Sequence, residues 1–119
     1  MEIHIDNLKQ LAVVECAGRI VGRDAANTLR DAVLSLASAA RIVLDMTEVD
    51  TVERAGLEVL LFVGRWAHVK NIRLKLFNPS RQVLHSLQRS GLLSELEFAT
   101  LEEVIALLAS SDPFYAIAS

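Results

Sequence analysis

The sequence is poor in the residues on which disulfide-bonded and nucleic-acid-binding proteins depend. It has one cysteine among 119 residues, and only 5% of the residues are aromatic. A single thiol cannot form an internal disulfide. Because Cys16 lies in an apolar run, we predict a buried structural cysteine in a reducing compartment. The net charge of −3, with basic residues scattered singly, and the lack of an aromatic stacking platform argue against nucleic acid as a partner.

Catalytic and metal-binding motifs are also missing from the sequence. The three histidines, His4, His68 and His85, lie far apart, and none has a cysteine or second histidine at ligand spacing. No glycine-rich phosphate loop, GxSxG or HExxH pattern occurs. We therefore expect no metal, no cofactor and no catalytic residue, and an enzyme is the weakest hypothesis.

Long apolar segments are absent as well. No stretch approaches the roughly 18 apolar residues that a membrane-spanning helix needs. The N-terminal sequence MEIHIDNLKQ mixes charges and lacks the basic head and apolar body of a signal peptide. We expect a cytoplasmic protein that does not insert directly into a membrane.

What the sequence does contain is an alternation of aliphatic strand and helix patterns. Residues 11–17 and Arg41–Asp45 are apolar runs of strand length, while residues 2–6 and Ile72–Phe77 alternate between apolar and polar side chains. With helical patterns between them, these runs predict an α/β fold over a single domain, residues 1–119. The expected sheet is mixed but mostly parallel, with four to five strands, about four helices and right-handed β-α connections. The tail, about residues 110–119, could pack or fray.

Several helix boundaries carry recognisable signals. Asp24 is a candidate N-cap of the first helix, and Asn78 is a candidate cap with Pro79 at the first helical position. The segment from Leu57 to His68 is apolar nearly all round, so we expect it to be the most buried helix. Thr100–Glu103 has the form of a capping box at the start of the last helix.

The stretch DMTEVDTVERAGLE, Asp45–Glu58, is the most informative part of the sequence. It contains five carboxylates: Asp45, Glu48, Asp50, Glu53 and Glu58. Carboxylates act as an acid–base pair only when burial separates their pKa values. We interpret these as acids that complement a helix dipole at a hydrated helix start. The predicted loop after the central strand would project from the edge where parallel α/β sheets bind partners. Together with the loop Gly18–Arg23, it is a candidate docking surface.

The run LDMTEVDTVERAGLEVLL, Leu44–Leu61, resembles the STAS domain, which is the fold of anti-sigma factor antagonists and of cytoplasmic parts of sulfate transporters. The matching residues are Asp45, Thr47, Val49, Val52, Ala55, Gly56, Leu57 and Leu60. The resemblance covers nearly the whole chain. It implies a STAS-like fold and a role in protein–protein interaction.

The resemblance implies that such proteins carry an Asp-Ser pair at the helix entrance. The serine is phosphorylated by a kinase that is also the anti-sigma factor. Here the pair is Glu53 and Arg54. A phosphoserine carries about −1.5 to −2 charges, whereas arginine is permanently positive. We therefore predict that residue 54 cannot be switched by phosphorylation. Thr51 and Thr47 are nearby alternative acceptors, although Thr47 is more typical of a residue that forms a local hydrogen bond.

These considerations define a predicted partner-binding surface. It comprises Asp45, Thr47, Glu48, Asp50, Thr51, Glu53, Arg54, Ala55, Gly56 and Arg23. The partner could be an anti-sigma factor of the kinase-like type, or the ATPase of an ABC-type membrane transporter to which this chain would be a cytoplasmic accessory subunit. A third hypothesis is that Arg54 holds a small anion or a nucleotide. The sequence also leaves open a homodimer formed through the apolar helix or the tail.

Overall fold

Five strands form one mixed sheet in the computed structural model, which describes residues 1–111. In sheet order they are β1 (Glu2–Leu8), β2 (Leu11–Ile20), β3 (Arg41–Val52), β4 (Arg73–Phe77) and β5 (Phe98–Ala99). β1 pairs antiparallel with β2, and the other neighbours pair in parallel. The predicted mostly parallel α/β sheet is confirmed. Residues 112–119, most of the tail whose packing the sequence left open, lie outside the described residues.

Helices connect the parallel strands, as the alternation of patterns predicts. They are α1 (Gly22–Leu34), α2 (Arg54–Val69), α3 (Arg81–Arg89) and α4 (Leu101–Ser111), with a 3₁₀ turn at Leu93–Glu95. The predicted capping box at the start of α4 is confirmed. The Glu103 N–H donates to Thr100 Oγ1 over 3.1 Å, and the Thr100 N–H donates to Glu103 Oε1 over 3.2 Å.

The core lies between one face of the sheet and the first three helices. Alternate residues of the central strands point to this face, as the period of two requires. The fully buried side chains that meet there include Val14, Leu44, Leu76, Leu29, Leu60 and Leu87. The other face of the sheet lies under α4, where Val104 and Leu108 share a cavity with Val13 and Val43. α4 itself buries no residue completely, so the two layers are unequal.

The prediction of a loop after Asp45 is wrong. β3 continues to Val52, and β2 continues to Ile20, which is the residue paired with Val52. The segments Asp45–Val52 and Gly18–Ile20 are therefore strand, and the connections to the helices shrink to one residue each, Val21 and Glu53. Two irregularities in the β2–β3 register hide this continuation from the sequence pattern.

Two predicted helix starts are also wrong. α1 begins at Gly22, ahead of Asp24, which lies in its first turn. α3 begins at Arg81, and its cap is Ser80, whose hydroxyl accepts a 3.2 Å hydrogen bond from the Val83 N–H. Asn78 does not cap α3, because its backbone has φ of 52° and its side chain bonds elsewhere.

α2 has more buried residues than any other described helix, as predicted, but its apolar composition does not bury it on every side. Its inner residues, Leu60, Val63 and Ala67, are buried against α1 and the sheet. Its outer face stays in solvent, with Phe62 48% and Val69 82% exposed. The apolar side chains on the outer face stay exposed because the described part of the chain packs against only one side of the helix.

Candidate functional site

The starts of α1 and α2 lie side by side where β2 and β3 end. The Glu53 N–H donates a 3.1 Å hydrogen bond to the Ile20 carbonyl, which joins the end of β2 to the entrance of α2. Arg23 lies in the first turn of α1, and Arg54 is the first residue of α2. We call this part of the molecule, formed by the two helix starts, the carboxyl edge.

The Arg54 side chain projects into solvent from the carboxyl edge. Its side chain is 94% exposed, and its Nε lies 3.5 Å from Glu58 Oε1, one turn further along α2. An ion pair between two exposed side chains contributes little stability, typically about 0 to 1 kcal/mol. The guanidinium is therefore held only weakly, and it can reach a carboxylate on another molecule at small energetic cost.

Gly56 brings α2 close to the sheet. A Cβ atom at this position would lie 2.6 Å from Ile20 Cγ2 and 3.0 Å from the Ile20 carbonyl oxygen. Only glycine allows the first turn of α2 to approach the end of β2 so closely. Gly56 is itself buried, which leaves it little surface for the partner contact predicted from the sequence. Its contribution is to position Arg54.

A second polar group lies further down β3. The Thr47 hydroxyl donates a 2.6 Å hydrogen bond to Asp45 Oδ1, and the Thr47 N–H donates to the same oxygen over 3.0 Å. Asn78, which follows β4, donates from Nδ2 to Thr47 Oγ1 over 3.2 Å. The local hydrogen bond predicted for Thr47 is confirmed, and it belongs to a three-residue network.

Asn78 is a member of this network that the sequence does not reveal. The contact spans 31 residues of sequence, and no local pattern predicts it. The one available signal was the residue type, since asparagine tolerates the left-handed backbone conformation better than most residues do. Here that conformation turns the side chain of Asn78 toward β3 instead of capping α3.

The ten predicted partner-binding residues differ in their exposure to solvent. Arg23, Thr47, Glu48, Asp50, Glu53 and Arg54 are exposed, Asp45, Thr51 and Ala55 are half-buried, and Gly56 is buried. Asp45 and Val52 are seven residues apart on β3, which corresponds to about 20 Å of strand. The Thr47 network and the carboxyl edge are thus separate places, connected by the exposed side chains of Glu48 and Asp50.

The single cysteine lies behind the Thr47 network. Cys16 is 1% exposed. Burial, together with the nearby charge of Asp45, raises the pKa of its thiol to about 12. A thiol in this state stays protonated at neutral pH and does not act as a nucleophile. The predicted burial of Cys16 is confirmed.

The described chain offers no geometry for a metal site or a membrane span. Between Met1 and Ser111, no three His, Cys, Asp or Glu side chains come together in a way that could hold a metal ion. Over the same residues, no helix is both long and apolar enough to cross a bilayer.

Comparison with known proteins places this geometry in a family. Residues 3–102 match the family model described as "Mlab, STAS domain". A search of curated proteins by sequence finds no match.

Several solved structures share the fold. The unphosphorylated anti-sigma factor antagonist SpoIIAA, a Bacillus protein, is 20% identical with a TM-score of 0.74, and the match covers 92% of this chain and 97% of that one. An anti-sigma factor antagonist from Mycobacterium paratuberculosis is 16% identical with a TM-score of 0.74, covering 91% and 93% of the two chains. SLC26A9 is 12% identical with a TM-score of 0.69. The match covers 88% of this chain but 20% of that much longer one.

Proposed function

The chain belongs to the STAS domain family, and from this membership we propose that it is a non-catalytic module that docks a regulatory protein partner at its carboxyl edge. The observation that carries the proposal is Arg54. It is the first residue of α2, its side chain is 94% exposed, and Gly56 fixes its position against the sheet. Two solved structures of similar fold are described as anti-sigma factor antagonists, so the proposed partner is an anti-sigma factor of the kinase-like type.

The proposed docking differs from a phosphorylation switch. In the family pattern, the residue at the helix entrance is a serine, and here it is Arg54, which has no hydroxyl. A phosphate added at a helix start would place about −1.5 to −2 charges there, whereas arginine keeps its positive charge at all physiological pH values. We therefore propose that a partner held at the carboxyl edge is not released by phosphorylation of residue 54.

Charge sets the chemistry that such a partner should present. Arg54 and Arg23 are exposed cations at the two helix starts, and Glu53 is an exposed carboxylate directly before Arg54. A carboxylate on the partner can form a bidentate pair with the Arg54 guanidinium, which is stronger and more directional than a pair with lysine. Opposite charges across an interface mainly speed association and select the partner.

The experiment compares Arg54→Glu with Arg81→Glu. Both arginines are the first residues of helices, and both are exposed. The two variants therefore reverse the same charge in the same kind of position. Each protein is expressed with an affinity tag in its native cell, and co-purified proteins are quantified by mass spectrometry. We expect a partner that is enriched by the wild type and by Arg81→Glu, but not by Arg54→Glu. Equal enrichment by all three proteins, or by none of them, refutes docking at Arg54.

We propose in addition that the chain is not an enzyme and acts in the cytoplasm. Its one thiol is buried and protonated, which removes the strongest nucleophile of the sequence. A single unpaired cysteine suits a reducing compartment. Both statements are expectations that support the docking role and do not depend on the identity of the partner.

A second candidate function is an accessory subunit of an ABC-type membrane transporter. The likeness to SLC26A9 favours this candidate, since a fold like this one forms about 20% of that longer chain. The same fold can therefore serve as one part of a larger assembly. Fractionation separates the two functions. Co-purification of the full-length protein with membranes and an ATPase supports the accessory role, and partners found only in the soluble fraction support the first proposal.

A further inference from the structure

The outer face of α2 is an apolar stripe that no described element of the chain covers. Residues spaced three and four apart lie on one side of a helix. Those that line a shallow depression on this side are Glu58, Leu61, Phe62, Arg65, Trp66 and Val69. Phe62 and Val69 are 48% and 82% exposed, while Leu61 and Trp66 are half-buried. Contiguous exposed apolar side chains of this kind mark interaction surfaces more often than isolated ones do.

The charges on this stripe are arranged to complement a second copy of themselves. Glu58 and Arg65 are seven residues apart on either side of Leu61 and Phe62, which is about two helical turns. Their side chains are 70% and 67% exposed. Among the described residues, each has a long ion pair, at 3.5 Å from Glu58 to Arg54 and 3.6 Å from Arg65 to Glu95. Exposed pairs of this kind contribute little stability, so both charges can exchange them for a partner on another molecule.

We propose that two copies of this chain associate through the outer faces of their α2 helices, packed antiparallel about a twofold axis between Leu61 and Phe62. Such an interface is self-complementary, because each contact occurs twice. Glu58 of one copy then lies opposite Arg65 of the other, and Leu61 lies opposite Phe62. A parallel arrangement would instead place Glu58 against Glu58, so the charges select the antiparallel one.

The exposed apolar residues of α4 do not have this property. Leu101 and Ile105 on α4 are 57% and 45% exposed. The charged residues of α4 are both acidic, Glu102 and Glu103. Two copies meeting through α4 would bring carboxylates together without a basic partner on that helix. The complementary charges therefore point to α2, and α4 supplies a control of similar exposure.

The proposed interface is small. One face of a 16-residue helix falls at the low end of specific interfaces, below about 1,200 Å² in total. Contacts of this size are typically transient, so we expect a dissociation constant of roughly micromolar order. This self-association goes beyond the proposed docking of a regulatory partner. Arg54 lies one turn before Glu58 on the same side of α2, so the two proposed surfaces are adjacent.

Sedimentation equilibrium of the full-length protein over a range of concentrations tests the surface. We expect a monomer–dimer equilibrium in the wild type. Phe62→Ser should weaken it at least tenfold, and Ile105→Ser should leave it unchanged. A protein that remains monomeric up to roughly 100-fold above a micromolar dissociation constant overturns the proposal. A dimer unaffected by Phe62→Ser, or weakened equally by Ile105→Ser, also overturns it.

Charge exchange tests the complementarity without relying on a loss of folding. Glu58→Arg alone, or Arg65→Glu alone, places like charges opposite each other at two symmetric points and should weaken the dimer. The double exchange Glu58→Arg with Arg65→Glu restores both pairs, so its dissociation constant should return to within about threefold of the wild type. A double variant that is weaker than either single variant refutes the antiparallel pairing.

Disulfide trapping tests the register. Glu58→Cys protein is mixed with Arg65→Cys protein in the presence of oxidised glutathione. We expect a covalent dimer in the mixture and little in either protein alone. Residues 58 of the two copies would be offset along the helices by about 10 Å, which exceeds the Cα separation that a disulfide spans. Cys16 is 1% exposed and does not compete. Equal cross-linking in the single-variant samples contradicts the proposed register.

Discussion

A Cβ atom on Gly56 would lie 2.6 Å from Cγ2 of Ile20, closer than side-chain atoms approach in folded proteins. The same atom would lie 2.8 Å from Val52 Cγ1. Gly56 therefore allows the first turn of α2 to pack on the ends of both β2 and β3. This contact links the glycine of the sequence pattern to function, because the packing of that turn decides where Arg54 is presented.

Gly56→Ala should destabilise the protein by about 1 to 3 kcal/mol, since the added methyl overpacks the contact with Ile20 and Val52. Urea unfolding gives the free energy. Gly64→Ala is the matched control on the same helix, because its Cβ would lie 3.3 Å from only one atom, the end of the Leu96 side chain. There the better helix propensity of alanine, worth up to about 1 kcal/mol, should keep stability unchanged or raise it. Equal losses in the two variants would contradict the role of Gly56.

The second half of β3 shows why the alternation of apolar and polar residues did not predict this strand. Met46, Val49 and Val52 are buried at a spacing of three, which does not match the period of two of a regular strand. The β2–β3 register shifts between Glu15 and Ala17 and again between Gly18 and Arg19. Each shift adds a residue to β3, so the buried side chains keep facing the core while the sequence looks like a loop.

The features of the candidate site that depend on neighbouring residues in the sequence could be predicted. The exposure of Arg54 and the local hydrogen bond of Thr47 follow from residue type and position near a helix start or strand end. The burial of Gly56 and the bond from Asn78 to Thr47 depend on segments distant in sequence, so no local pattern shows them. The exposed face of α2 was missed for the same reason, since an apolar sequence does not reveal which neighbours are available to cover it.

Cys16 should react slowly with thiol reagents in the folded protein. Burial holds its pKa at about 12, so the thiolate that attacks such reagents is scarce at pH 8. Labelling with a chromogenic disulfide should be slow in buffer and complete within the mixing time in denaturant. Rapid labelling of the native protein would show that β2 opens readily around Cys16.

From the raised pKa of Cys16 we also predict how stability changes at alkaline pH. The folded pKa of Cys16 is raised above its ordinary value of 9.0, so above this pH the unfolded chain loses a proton that the folded protein keeps. Stability contributed by the neutral thiol is thus present below about pH 9 and is lost as the pH rises toward about 12. Cys16→Ala, which has no thiol to ionise, should show a smaller decline in unfolding free energy over that range. Parallel pH curves would contradict the shift.

The contact between β4 and α4 predicts a pH dependence in acid. Lys75 Nζ donates a 2.6 Å hydrogen bond to Glu103 Oε2. This bond, followed by that from the Thr100 N–H, lowers the pKa of Glu103. A carboxylate with a lowered folded pKa stabilises the protein above its unfolded pKa, and that contribution is lost as the pH falls through the folded value.

Glu103→Gln should therefore be less stable than the wild type near neutral pH, and the difference should shrink as the pH falls below about 4.5, the ordinary value for this group. Glu102→Gln removes one negative charge from the same turn while keeping the Lys75–Glu103 pair, and it serves as the control. A stability gap for Glu103→Gln that stays constant through the acid range would contradict the assignment.

The last prediction concerns phosphorylation near the carboxyl edge. Thr47 donates its hydroxyl proton to Asp45 over 2.6 Å, so a phosphate there would place about −1.5 to −2 charges beside a carboxylate. Thr51 is half-buried within β3, where a kinase cannot reach it without opening the strand. We therefore expect the wild type to gain no phosphate from an anti-sigma factor kinase with ATP, as measured by intact mass.

Arg54→Ser supplies the positive control, because it restores an exposed hydroxyl at the entrance of α2. If both proteins stay unmodified while the kinase modifies its own antagonist, that kinase does not dock this chain. If the wild type gains phosphate, a threonine near the edge acts as the switch, and the constitutive docking proposed for Arg54 is wrong.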